Sequence, residues 1–162
     1  STLNDAVSSE AAQTSDVILS LNRDQMLYGR DAYGNVLKPD YLDDPFFQQF
    51  EDPLGVAIEY KKMKMKLEDM HHAIIRFQSI QLFPDKSPDT PNLLVNGNWF
   101  MNYLFINISK EGYEIDSTGI VAPDIEQKYG KVFGLAPESK AYYWNGFLRR
   151  ALLEHYEKNM AK

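Results

Sequence analysis

Pro91-Asn92-Leu93-Leu94-Val95-Asn96-Gly97 runs into Trp99-Phe100-Met101-Asn102-Tyr103-Leu104-Phe105-Ile106-Asn107-Ile108, and the region closes on Tyr129-Gly130-Lys131-Val132-Phe133-Gly134. β-Branched and aromatic residues punctuated by turn formers are the composition of short antiparallel strands. The stretch predicts strands at Leu93 to Val95, Phe100 to Ile108 and Tyr113 to Ile120, with a turn at Lys110-Glu111-Gly112. It offers no evident nucleophile, metal cluster or phosphate cradle, which points to assembly before catalysis.

On the C-terminal side, Pro123 to Tyr129 predicts a short helix. Its proline sits near the start, where the missing donor is harmless, and Gly130 follows its end. Ser139 to Met160 predicts a long last helix that buries Trp144, Leu148, Ala151, Leu152 and Tyr156. On the N-terminal side, Val7, Ala11, Val17, Ile18 and Leu21 fall along one helical stripe, so Asp5 to Leu21 reads as an amphipathic helix. Asn22 to Gly29 then leads into Asp31-Ala32-Tyr33-Gly34-Asn35, whose Gly and Asn residues suit a short hairpin.

Pro39 to Pro53 gathers Asp40, Asp43, Asp44, Glu51 and Asp52 around Tyr41, Phe46, Phe47 and Phe50, an acidic aromatic loop bounded by prolines. Leu54 to Gln78 reads as helix, although Lys62-Met63-Lys64-Met65-Lys66 also alternates with the period of a strand. Ser79 to Pro91, with three prolines among polar residues, reads as an exposed loop and a candidate moving arm. The expected architecture is α+β: an N-terminal helix, a central antiparallel sheet and a long C-terminal helix. It forms a single domain over 1–162, with an N-terminal helical segment at 1–28, the loop at 79–91, a β core at 92–134 and the last helix at 139–160.

Composition agrees with a folded protein: of 162 residues, 44% are hydrophobic and 25% charged, enough for one core without disulfides or metals. The absence of cysteine removes thiol nucleophiles, thiolate zinc sites and disulfides. The first residues show neither the basic start nor the apolar block of a secretory signal, and no apolar run is long enough to span a bilayer. A formal charge of −6 argues against a surface that binds DNA everywhere.

Each chemical constellation has a simpler explanation. His71-His72 are adjacent, so on a helix they diverge and do not share a tetrahedral site; no metal or other cofactor is expected. Asp40, Asp43 and Asp44 lack the alternate-position carboxylates, central glycine and final glutamate of a calcium loop. Glu114 and Asp116 share one face of a predicted strand as a pair of carboxylates, but the sequence shows no second residue to orient them and no substrate pocket, so they read as ordinary surface acids. Lys61, Lys62, Lys64 and Lys66 form the one dense basic run, and on a helix they spread around more than half its circumference. No serine or threonine stands at a recognisable spacing from a base, so no enzymatic activity is expected.

The order of features resembles the head-to-tail joining, neck or tail-completion proteins of tailed bacteriophages, especially those of phages of Bacteroides and related hosts. The resemblance is carried by Leu21-Asn22-Arg23-Asp24-Gln25-Met26-Leu27-Tyr28-Gly29-Arg30-Asp31-Ala32-Tyr33-Gly34-Asn35, by Tyr60-Lys61-Lys62, by the block Pro91 to Phe100, and by Tyr129 to Gly134. These are structural signatures, turns and buried apolar residues, and they carry over no active-site residue. The chain departs from the group in the longer stretch Glu68 to Asp85 and in its extended final helix.

The resemblance implies a virion subunit, assembled in the host cytoplasm, that forms a homo-oligomeric ring against the portal and other neck or tail proteins. DNA would pass through its channel without sequence-specific binding, and no membrane would be involved. Closed rings need one patch to meet a different patch on the next copy. The candidates are the acidic aromatic loop (Tyr41, Asp43, Asp44, Phe46, Phe47 and Phe50) and the basic segment (Lys61, Lys62, Lys64 and Lys66), paired between neighbours. The alternative expectation is a small soluble protein-binding or regulatory protein of phage or bacterium.

Overall fold

The computed structural model describes residues 2–75, 81–94 and 103–160. Helix α1 (Leu3–Gln13) begins with a reciprocal cap: the Asp5 backbone N–H donates to the Thr2 hydroxyl at 3.1 Å and the Thr2 N–H donates to the Asp5 carboxylate at 3.0 Å. It stops at Thr14, whose hydroxyl donates back to the Glu10 carbonyl at 2.7 Å and lies 2.8 Å from the Tyr143 hydroxyl. Helix α2 (Ser15–Leu27) follows. The single helix expected over Asp5 to Leu21 is thus two helices, and the second continues past Leu21 through residues expected to lead into a hairpin.

The continuation has a physical cause in two buried amides. Gln25 donates to the carbonyls of Asp31 and Gly134 at 2.8 and 2.9 Å, and its oxygen accepts from the Ala136 N–H at 2.8 Å and the Ser139 hydroxyl at 3.1 Å. Asn22, one turn earlier, donates to the Val132 carbonyl and accepts from the Gly134 N–H, both at 3.0 Å. Apart from Asp31, the partners of these polar side chains lie more than a hundred residues ahead in sequence. After α2 the expected hairpin reduces to a single bridge, Arg30 to Val36, closed by Asp31 accepting from the N–H groups of Tyr33 and Asn35. Gly29 takes φ +71° against the chain at Thr90 and Pro91, where a Cβ would stand 2.5 Å from the Thr90 methyl.

The acidic aromatic segment folds into two 3-10 turns, Tyr41–Asp43 and Pro45–Gln49, the second capped by Asp44. Helix α3 (Pro53–Ile75) includes the lysine–methionine alternation, so helix prevails over strand there. Strands β1 (Leu104–Ser109) and β2 (Gly112–Ser117) pair antiparallel, with Ile106 opposite Ile115 and Ile108 opposite Tyr113. Helix α4 (Ala122–Tyr129) ends at Gly130 in a positive-φ conformation, as expected. Helix α5 (Pro137–Tyr143), a π-helical turn (Trp144–Leu148) and helix α6 (Arg149–Met160) make one long C-terminal rod. The α+β architecture is as the sequence predicts.

Three details differ. Leu93 and Leu94, expected in a strand, lie in irregular chain and are buried, Leu93 at φ +55°; Val95 and the predicted strand start at Phe100 lie outside the described residues. The loop expected to be an exposed arm is anchored over 81–91: Phe83 is buried beside Tyr28, and Thr90 and Pro91 are buried. In the terminal rod, Trp144 and Tyr156 are not buried but 44% and 59% exposed. Leu148, Ala151 and Leu152, expected on the same face, are half-buried, and Leu148 packs against the core.

The core gathers Ile18, Leu21, Met26 and Leu27 of α2 with Leu37, Leu94, Leu104 and Val132. The backbone of 131–136 crosses it, pinned by the two amides and by the Ala32 N–H donating to the Lys131 carbonyl at 3.0 Å. Replacing Gln25 by leucine removes four hydrogen bonds and strands the buried Ala136 N–H. The expected loss of stability is about 3 kcal/mol. Urea unfolding checks it against Gln127→Ala on the exposed face of α4, expected within about 0.5 kcal/mol of the parent.

Candidate functional site

The acidic aromatic loop packs against α3 within its own chain, but among the described residues none of Lys61, Lys62, Lys64 and Lys66 pairs with an acid of that loop. Tyr60 of α3 packs edge-on to Tyr41, with ring centroids 5.7 Å apart, and lies 5.5 Å from Phe47. Lys61 pairs with Asp89 at 2.6 Å, and the Asp89 carbonyl accepts from the Tyr41 N–H at 2.8 Å. Tyr41, Asp44 and Phe47 are buried, and the Asp44 carboxylate is ion-paired with Lys128 of α4. The expectation that these residues face a neighbour is corrected accordingly, because their side chains are enclosed by their own chain. Asp43, Phe46, Phe50, Lys62 and Lys66 remain exposed, with Phe46 and Phe50 in ring contact 5.7 Å apart.

Lys64 is the other correction. It is 5% exposed, and its ammonium donates to the Leu94 carbonyl and lies 5.9 Å from the Tyr60 ring centre. Asn92 completes the arrangement. Its N–H donates to the Tyr41 hydroxyl at 3.1 Å, its side-chain amide donates to the Lys64 carbonyl at 3.0 Å and to Glu68 at 3.2 Å, and its oxygen accepts from the Leu94 N–H at 3.0 Å. Glu68 pairs in turn with Lys86 at 3.0 Å, and the buried Lys86 also donates to the Thr90 carbonyl at 2.7 Å.

The electrostatics follow from this enclosure. Burial, with the nearby Lys86 ammonium adding to it, lowers the Lys64 pKa to about 8, against the partial compensation of Glu68. Burial raises Tyr41 and Tyr60, so both phenols stay protonated well above neutrality. An amine poised near neutrality is a potential nucleophile, but Lys64 is shut in by its own fold and engaged to a carbonyl. Its arrangement anchors the 92–94 segment to α3.

The surface also carries depressions away from this cluster. One, of about 870 Å3, lies between the β1–β2 hairpin and the 131–135 segment, with carboxylates of Glu111, Glu114, Asp116 and Glu126 and the amines of Lys131 and Lys140 in its lining. Glu114 and Asp116 are exposed there, and among the described residues no group of three or more His, Asp or Glu could hold a metal. Another, of about 450 Å3, lies on the outer face of α3 along Lys62, Met63, Met65 and Lys66, with Glu59 and Asp69 beside them. Asp40 and Asp44, considered as calcium ligands, are held apart by separate partners, Lys38 at 3.1 Å and Lys128. The side chains of His71 and His72 lie outside the described residues.

The sequence reading missed Asn22, Gln25, Lys86 and Asn92. Asn22 and Gln25 had a signal, since they stand three apart between the apolar residues Leu21 and Met26, on a surface that faces the core. Lys86 and Asn92 had none, being polar residues in a proline-rich stretch. Among the described residues no helix is long and apolar enough to cross a membrane. Comparison of the chain with protein-family models, curated proteins and solved structures finds no match.

The low pKa of Lys64 has a measurable consequence. Between about 8 and the ordinary lysine value of 10.5, the unfolded chain binds more protons than the folded one. Stability from this group therefore grows as pH rises through that window and is lost as pH falls through about 8. The raised tyrosines act in the opposite sense above their ordinary value of 10.0. The difference in unfolding free energy between parent and Lys64→Met should shift in favour of the parent by on the order of 1–2 kcal/mol from pH 8 to pH 10. Urea titrations at each pH check this; a constant difference would show Lys64 titrating as a surface lysine.

Proposed function

We propose that this chain is a non-enzymatic structural subunit of the neck of a tailed bacteriophage, a head-to-tail connector or tail-completion protein that forms a homo-oligomeric ring between portal and tail. The order of sequence features that resembles that group motivates the reading, and one structural observation carries it. Helix α6 has no buried residue, and Leu153, Tyr156 and Met160 on it are 52%, 59% and 68% exposed. A row of large apolar side chains along one exposed face of a helix is the mark of an interaction surface.

The mechanism is steric and adhesive. The amide-braced core holds subunit shape while the terminal rod and the outer face of α3 present side chains to neighbours. A net charge of −6 suits a channel through which DNA slides without sticking. The purified protein is expected to run as a ring, or to co-migrate with a portal preparation from the same source, when mass is measured by light scattering. A concentration-independent monomer indifferent to portal would replace this reading with that of a small soluble binding or regulatory protein.

A further inference from the structure

We propose that the outer face of α6 from one copy seats in the groove beside the β1–β2 hairpin of the next, so that the subunits join head to tail. This rests on the ring reading above and specifies its interface. Arg149, Leu153, Tyr156 and Met160 fall at i, i+4, i+7 and i+11, one face of a helix roughly 18 Å long at 1.5 Å per residue. That face joins a cation to three apolar anchors, and Arg150 flanks it. Among the described residues neither arginine has an ion pair.

The groove is its chemical complement. Its lining holds four carboxylates against two amines, over the buried apolar side chains of Ile115, Phe133 and Leu135. Glu114, Asp116 and Glu126 form no ion pair among the described residues. Arginine and carboxylate pair through two parallel hydrogen bonds, and an amphipathic helix laid in an apolar groove is a recurrent mode of recognition. The outer face of α3 is the weaker receptor, because Lys62 is already paired with Glu59 at 3.2 Å and its charges balance. Two different patches on one chain make a heterologous contact, the kind that forms a ring when the rotation between copies closes.

Charge reversal tests the docking. Arg149→Glu with Arg150→Glu, and separately Glu114→Arg with Glu126→Arg, are each expected to weaken self-association about tenfold or more, and a mixture of the two variants to restore it. All four positions are exposed, and circular dichroism melts will show that the variants fold. The chain has no cysteine, so a second measurement mixes Tyr33→Cys, at the groove, with Leu153→Cys. Oxidation is expected to cross-link the mixture more than either variant alone. A ring that forms undiminished in the charge variants, or one without preferential cross-linking of the mixture, overturns the docking and leaves the ring reading standing. No oligomer, alone or with portal, overturns both.

Discussion

The irregular chain that links α4 to α5 depends on two side-chain amides. Asn22 and Gln25 project from adjacent turns of α2 and bind the backbone of residues 131–136, which belongs to no helix or strand and so has few partners of its own. Buried backbone donors and acceptors without partners cost as much as lost hydrogen bonds, so this segment stays in the core only because α2 brings the missing groups. The same contacts fix the Asp31 turn at one end and the start of α5 at the other. The geometry of the C-terminal rod is therefore set from the N-terminal third of the chain.

A second polar arrangement ties the other half. Buried Lys64 and Lys86 reach the backbone carbonyls of 87–94, with Glu68 and Asn92 between them. Buried charge is tolerated where it is paired and hydrogen-bonded, and here the carbonyls share that work with Glu68. Leu93 sits within this frame at φ +55°, a conformation that a bulky residue keeps only when its surroundings over-determine it. Asn92 does so from one side and the Lys64 contact at Leu94 from the other.

Helix positions were legible because their signals are local. The proline and glycine around α4 bracket it, and the length of apolar spacing along α3 outweighs a five-residue alternation. What was not legible depended on partners distant in sequence. Lys64 reads as one of four surface lysines, although Ala57, Lys64 and Glu68 share the face that turns inward; nothing local says that a carbonyl at Leu94 waits there. The loop from Asp40 to Asp52 reads as a surface for a neighbour because its aromatics and acids contrast with the lysines. That same contrast is satisfied within the chain, where Tyr60 and Lys128 reach it first.

The π turn at Trp144–Leu148 sets the rotational phase of the terminal helix. A wide turn differs from an ordinary one by a single residue, and none of its residues is buried. Loss or gain of one residue there would rotate every side chain of α6 about the helix axis and exchange the half-buried Ala151 and Leu152 for others against α1. The width of this one turn thus decides which side chains of the last helix, Leu153, Tyr156 and Met160 among them, face outward.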